Sequence, residues 1–598
     1  MGKKEDALVV VGLDFGTTYS GYAYSTRADY KERHDKIFTN TKWTCEDGFA
    51  SEKTPTAILF DEVGKFHSFG YEAEETYAEL LSDGKAEEHT YFTRFKMKLF
   101  QDEVNSSDSL MHPIEKRKKL ISRDLLIEGF NGKTMKALKV FSESIRYLKD
   151  HFLKCSKAAD FKFKEDEVHW VLTVPAIWKD NAKQFMREAA VQAGINPDLL
   201  TMAYEPEAAA IYCKDLTVQR KEGAEGGLLE SVEPGQQFLV LDCGGGTVDV
   251  TSYEVQENSA LKEINRPTGG PWGGIYVDKE FFAFIEELFG TDVMEEFKEN
   301  YPEDDLDLKR KFEAKKRGFS LKSAKKTTLS IPSTLFETFK KMRNDESFKD
   351  YIQKSDYGNV IKVQHDKLRF DYKVIKKLFQ NPVNSIIKHI KDLLAENGRD
   401  IKHILMVGGF SDSPILREKV KEQFKHLNVV VPNEAVTAVL KGAVMYGHRP
   451  DLISERVCPR TYGVTVSVPF DEKKHPPRLQ ASVDGEKLCT DIFKTIVQSG
   501  KPLTVGKSKF DILCRPTHAF DTVATVELYE SYHENPSYTT DEGVKRLGIF
   551  EVPIPDISRG KNRQIQISLH FGYTELFVTA SEVGTDRKTE VKFDCLLR

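Results

Sequence analysis

Two short phrases set oxygen-bearing side chains beside glycines. They are GLDFGTTYSG, beginning at Gly12, and LDCGGGTVDVTSY, beginning at Leu241. In each, an aspartate (Asp14, Asp242) stands at the end of an apolar run and just before a Gly/Thr turn. A carboxylate at the end of a core strand is costly unless a cation faces it. Mg²⁺ meets that need: it takes oxygen ligands, keeps several waters, and is held by one or two carboxylates together with nucleotide phosphates. Asp14 and Asp242 are therefore the candidate metal residues, acting mostly through water. Gly16, Gly244, Gly245 and Gly246 let backbone N–H groups reach phosphate oxygens with no Cβ in the way. Thr17, Thr18 and Thr247 add hydroxyl donors, and Asp249 adds a further acid. The repeated phrase predicts two similar lobes, each with one phosphate clasp. A third glycine turn, Gly408-Gly409, follows Val407.

The elements that must position these residues alternate between strand and helix from residue 7 to about 447, an α/β pattern. VHWVLTVPAIW (Val168 to Trp178) is a buried-strand run, and KDNAKQFMREAAVQAG (Lys179 to Gly194) is an amphipathic helix with Gly194 at its C-terminal cap. HILMVGGFSDSPILREKVKEQF reads as strand, turn, helix, while Glu222 to Gln237 is a Gly- and Glu-rich exposed loop. After Pro450 the pattern changes to alternating apolar and polar residues, as in QIQISLHF, ELFVTA and TVATVELYES, which predicts a small antiparallel β-sandwich. The expected organisation is a two-lobe domain at 1–447, a linker at 448–456 and the sandwich at 457–598.

The chain has 598 residues, 40% hydrophobic and 30% charged, with a net charge of -6. That balance argues against a binder of nucleic acid or of a membrane surface, and no apolar run is long enough to span a bilayer. The basic run Lys116 to Lys119 reads as a solvated helix face. Eight scattered cysteines with no CxxC pair argue against structural zinc and fit reduced thiols. With no signal peptide ahead of Val9, the expected compartment is the cytoplasm, the nucleus being a second one.

In order along the chain, these motifs resemble the 70-kDa heat-shock chaperone family (DnaK and relatives). GLDFGTTYSG and LDCGGGTVDVTSY resemble its two phosphate hairpins. VPAIWKDNAKQFMREAAVQAGINPDLLTMAYEPEAAAIY and VPNEAVTAVLKGAVMYG resemble its two connecting segments. FEAKKRGFS and ILMVGGFSDSP resemble its adenosine-contacting stretches. GYAYS, FHSFGY, FKMKL and VCPRTYGV are similar to a divergent branch, the heat shock 70 kDa protein 12 group. The resemblance implies an actin-like two-lobe ATPase domain followed by a β-type substrate-binding domain. It implies that Asp14, Gly16, Thr17, Thr18 and Tyr19 hold the phosphates and the Mg²⁺ waters of ATP or ADP. Lys96 (in RFKMK) would approach the γ-phosphate, Glu205 (in YEPE) the metal-bound waters, and Asp242, Thr247 and Asp249 would complete the catalytic set. Lys316, Arg317 and Ser320 would contact adenosine, backed by Gly274, Gly408, Gly409 and Phe410. Phe510, Ala524 and Val526 fall near the family's peptide cleft.

Departures from the family pattern shape the functional expectation. Asp412 stands where the family places an arginine over the adenine ring, so cation–π stacking on that face is lost and a weaker base pocket is expected. DLISER replaces the leucine-rich interdomain linker, and Thr201 replaces an arginine that contacts J-domain cochaperones. No helical lid and no acidic tail are read after the sandwich, so tail-reading cochaperones lose their ligand. The expectation is a weak ATPase and stress-response chaperone that binds client or partner polypeptides, such as a receptor tail. The alternative is a nucleotide-gated adapter with little or no hydrolysis.

Overall fold

The computed structural model describes the chain except for residues 1, 41–42, 45–49, 101–120, 160, 162, 216–232, 321–326, 398–399, 572–573, 585–587, 592–593 and 597–598. The basic run at 116–119, most of the loop expected from residue 222 and the last two residues lie outside it. Both glycine phrases are hairpins, as the apolar runs before them and the turn residues within them dictate. In the first sheet Val9–Phe15 pairs antiparallel with Tyr19–Thr26, and parallel with Val168–Val174 on its other side. In the second, Gln237–Cys243 pairs antiparallel with Val248–Val255 and parallel with Ile401–Val407. The same arrangement in both sheets is the two-lobe repeat that the sequence implied. Strands Val9–Phe15 and Val168–Val174 are buried at every residue, which is why they read as continuous apolar runs rather than alternations.

Two helices, Glu205–Asp215 and Ala438–His448, pack against each other between the sheets. Their shared core is built from small side chains (Ala208, Ala209, Ala210, Ala438, Ala443) against Val10, Val171, Val240 and Val407 of both sheets. The approach is so close that a Cβ at Gly442 would stand 1.6 Å from the carbonyl oxygen of Ala208.

The β-rich C-terminal region contains a five-stranded sheet, from Gln480–Val483 to Val544–Pro553, and a four-stranded sheet, from Lys509–Cys514 to Lys588–Val591. Their strand pairs are antiparallel, and Val464, Leu528, Ile565, Ile567 and Leu569 fill the space between them.

The segment expected as a linker is folded. Pro450–Leu452 forms one turn, and Ile453–Val457 adds a strand to the second lobe's seven-stranded sheet. Pro502–Thr504, within the 457–598 span expected to be the sandwich, pairs instead with Ile453–Val457 in that lobe sheet, whereas Lys509–Cys514 joins the sandwich. The physical reason is the free edge offered by Ile453–Val457, which a short strand with few apolar residues can cover. The sandwich also rests on the first lobe. Glu575 pairs with Arg187, Thr574 donates to the Met202 carbonyl, and Asp594 pairs with Arg123 at 2.9 Å.

Candidate active site

The two hairpin turns meet face to face. A Cβ at Gly245 would lie 2.5 Å from Thr18 Oγ1, and one at Gly246 would lie 2.8 Å from Thr17 Oγ1. The glycines of one turn thus leave room for the threonine hydroxyls of the other. The start of helix Gly274–Phe289 lies against the second turn: the Ile275 N–H donates to the Gly245 carbonyl at 2.9 Å and the Gly274 N–H to the Gly244 carbonyl at 3.2 Å. Between the lobes lies a cavity of about 190 Å³. It is lined by Asp14, Gly16, Thr17, Thr18, Tyr19, Lys96, Glu205, Asp242, Gly244, Gly245, Gly246, Thr247, Gly274, Lys316, Arg317, Gly408, Gly409, Phe410 and Asp412. Of the expected catalytic and nucleotide residues, Asp249 and Ser320 stand outside this lining. A larger cavity of about 390 Å³ opens between the lobes and the sandwich, but the two glycine hairpin turns do not reach it.

Charge is concentrated at the hairpin end. Lys96 lies on the short helix Phe95–Leu99 and is only 3% exposed. Its Nζ donates to Glu205 Oε1 at 2.6 Å, and the ring of Trp178 lies 5.2 Å from it. Asp14 receives Lys53 Nζ at 2.5 Å and the Thr173 hydroxyl at 3.3 Å. Asp249 sits across the hairpin from Asp242 and accepts the Ile177 N–H at 3.0 Å. Burial, reinforced by the Glu205 charge, pushes the Asp249 carboxyl up to about 7. Burial, with Glu205, Asp249 and Asp14 nearby, holds the Asp242 carboxyl well above the usual carboxylate range. Burial also raises Glu205, against the pull of Lys96. Among the described residues Asp242 and Asp249 have no ion-paired cation, whereas Glu205 is held by Lys96; the all-oxygen donor set fits a hard cation such as Mg²⁺.

At the other end of the cavity Lys316 is buried, with Nζ 2.6 Å from Asp278 Oδ1 and 2.6 Å from Glu313 Oε2. The Arg317 guanidinium lies 4.7 Å from the Tyr19 ring centroid, so it bridges the end of helix Pro302–Lys316 and the first hairpin. Gly408 has φ 83, and a Cβ there would lie 2.5 Å from Asp242 Oδ1, so the third glycine turn must be glycine to sit against that carboxylate. Asp412 lines the cavity and is paired with Arg417.

The motif reading missed Lys53, which lines the cavity, and the Arg94–Asp278 pair at 2.7 Å that ties the first lobe to the second. Neither lies in a glycine phrase. The one signal for Lys53 was its place just before Thr54–Pro55, which pairs with the first hairpin's return strand. The expected peptide residues stand on facing sheets of the sandwich. Val526 is inside its core, and Phe510 and Ala524 pack against it. None of them lines the cavities described above.

The model of the "Hsp70 protein" family matches residues 10–480 of this chain. The human protein named Heat shock 70 kDa protein 12A is 33% identical to it over 651 residues, covering 100% of this chain and 93% of the relative. The mouse protein of the same name is 33% identical at the same coverage. Human Heat shock 70 kDa protein 12B is 33% identical over 647 residues, covering 98% of this chain and 91% of the relative. Among the described residues, no helix is long and apolar enough to cross a membrane.

Proposed function

Because the chain belongs to the Hsp70 family, we propose that it is an ATP-binding, slowly ATP-hydrolysing, chaperone-like protein of the cytoplasm, which holds client or partner polypeptides through its sandwich. The observation that carries this reading is the convergence of both hairpin turns with Lys96 and Glu205 on one cavity. Phosphoryl transfer to water asks for positioning and charge rather than covalent chemistry. The turn N–H groups and the hydroxyls of Thr17, Thr18 and Thr247 donate to phosphate oxygens. Lys96, oriented by Glu205, presents its ammonium to the transferring phosphoryl group. Glu205 and Asp242 accept hydrogen bonds from the attacking water. Asp14 and Asp242 would hold Mg²⁺ through water, and the ion would supply further neutralisation of the phosphate charge when bound.

Single-turnover hydrolysis of Mg·ATP by the purified chain tests this. Lys96→Ala is expected to slow the parent's step about a hundredfold, the effect of removing one preorganised charge donor, while nucleotide binding persists. A parent that binds ATP and does not turn it over would instead support the nucleotide-gated adapter.

The base pocket makes a second expectation. Asp412→Arg should tighten adenine nucleotide binding about tenfold, by restoring a cation over the ring. The half-exposed Arg417 pair that it removes is worth little. An unchanged affinity in titration calorimetry would place the base elsewhere.

A further inference from the structure

Lys53 occupies an unusual place for a lysine. Its side chain is 11% exposed, and its Nζ is 2.5 Å from Asp14 Oδ2, a carboxylate whose side chain is itself 7% exposed. The stem reaches that point over Gly21, which stands directly across the hairpin from Asp14. A Cβ at Gly21 would lie 3.2 Å from Lys53 Cγ and 3.0 Å from the Glu52 carbonyl oxygen, so the bare glycine is what leaves a trough for the lysine. The next residue, Thr54, pairs with Ser20 of the same hairpin, which anchors the backbone of Lys53 to the phosphate turn. The ammonium is therefore delivered to the cavity by a packed stem and a paired strand, not by a free surface chain.

The charges on the cavity wall explain what it does there. Asp14, Glu205 and Asp242 line the cavity together with Lys53 and Lys96. Lys96 is committed to Glu205 and Lys53 to Asp14. Among the described residues no side-chain cation forms an ion pair with Asp242. The carboxylate on which a divalent ion would chiefly depend in the first hairpin thus already carries a cation of the chain's own. The same ammonium lies on the wall where phosphate oxygens would enter.

We propose that Lys53 is an in-chain counter-cation of the phosphate cavity. It takes over at Asp14 part of the neutralisation that a divalent ion supplies, so that nucleoside di- and triphosphates bind with only weak dependence on divalent cation. This inference rests on the nucleotide-binding reading above. An ammonium on a carboxylate wall competes with a hard cation for the same oxygen, and it can turn its remaining N–H groups to a phosphate.

The test is binding of N-methylanthraniloyl-ADP to the full chain, titrated in Mg²⁺ and again in excess EDTA, for the parent, Lys53→Met and Lys53→Arg. For the parent, EDTA is expected to weaken binding by less than about tenfold, because the in-chain charge remains. For Lys53→Met the loss in EDTA, read against that variant's own affinity in Mg²⁺, should grow at least about fivefold over the parent's. Lys53→Arg, which keeps the charge, should behave as the parent does. A parent that loses tenfold or more in EDTA overturns the inference, as does a Met variant with the parent's ratio. The parent titration needs no variant, so a poorly folding Lys53→Met leaves the inference open to refutation. Absence of binding in both conditions would sink the nucleotide reading itself, and is distinguishable from binding that appears only with Mg²⁺.

Discussion

Arg456→Met should lose about 3–5 kcal/mol of folding stability, the cost of removing one member of a buried ion pair and leaving the other in place. Arg456 donates from Nε to Glu207 Oε1 at 2.7 Å and from Nη2 to Glu207 Oε2 at 2.7 Å, a two-pronged pair with both side chains almost fully buried. The Tyr446 hydroxyl at 3.3 Å and the Tyr204 ring at 5.1 Å complete the surroundings. Glu263 lies close by, with its carboxyl pushed up to about 8 by burial, and an acid supplies no positive charge to replace the guanidinium. The chain has several cores, so the readout is the midpoint of its first calorimetric transition rather than one global free energy. The double variant Glu207→Gln/Arg456→Met should recover most of the loss, because it leaves no unpaired charge behind. A single variant that melts with the parent, or a double variant no better than the single, would refute the assignment.

Gly442→Val is the other large effect. The helices Glu205–Asp215 and Ala438–His448 touch through backbone at this point: a Cβ at Gly442 would lie 1.6 Å from the Ala208 carbonyl oxygen and 2.3 Å from its carbonyl carbon. No rotamer relieves a clash with main chain, so the helices must part. The expected cost is at or above the top of the roughly 1–3 kcal/mol of ordinary overpacking. Function should fall with it, because Glu205 opens one of these helices and orients Lys96. Nucleotide titration and thermal melting of the same preparation check both effects. A variant that melts lower and binds nucleotide as the parent does would mean that helix spacing and site geometry are independent.

These two residues mark where the sequence stopped being legible. The two glycine hairpins could be read because each is contiguous: strand, acid, glycine and threonine follow one another, and the local pattern fixes the local geometry. The sandwich strands Ile565–His570 and Phe577–Glu582 could be read from alternation, since each buries one face. Arg456 could not. It lies in DLISER, a polar stretch that looks like an exposed connector, and its partner Glu207 is 249 positions away. Only the fold shows that the pair is internal. Lys53 was hidden for a related reason, because a lone lysine outside any motif is most often a surface charge. Gly442 could be read as part of a helix but not as its contact point, since the neighbour is backbone and leaves no mark in side-chain pattern. Pro502–Thr504 falls within 457–598 yet joins the lobe sheet, and three residues carry no periodicity with which to choose between sheets.

The two short strands at the end of the second lobe's sheet do more than connect. Leu261 and Lys262 of strand Leu261–Gly270 pair with Ile453 and Glu455, and Arg456 and Val457 pair in turn with Leu503 and Pro502. Without Ile453–Val457 that end of Leu261–Gly270 becomes a sheet margin with unpaired amides and carbonyls, a ready template for any extended chain nearby. The outermost strand carries Pro502, which has no N–H to offer, and proline is suited to closing a margin of this kind. The segment that follows helix Ala438–His448 therefore covers a sheet margin. A truncation placed before Ile453 to isolate the two lobes would expose a sticky seam that the intact chain keeps covered.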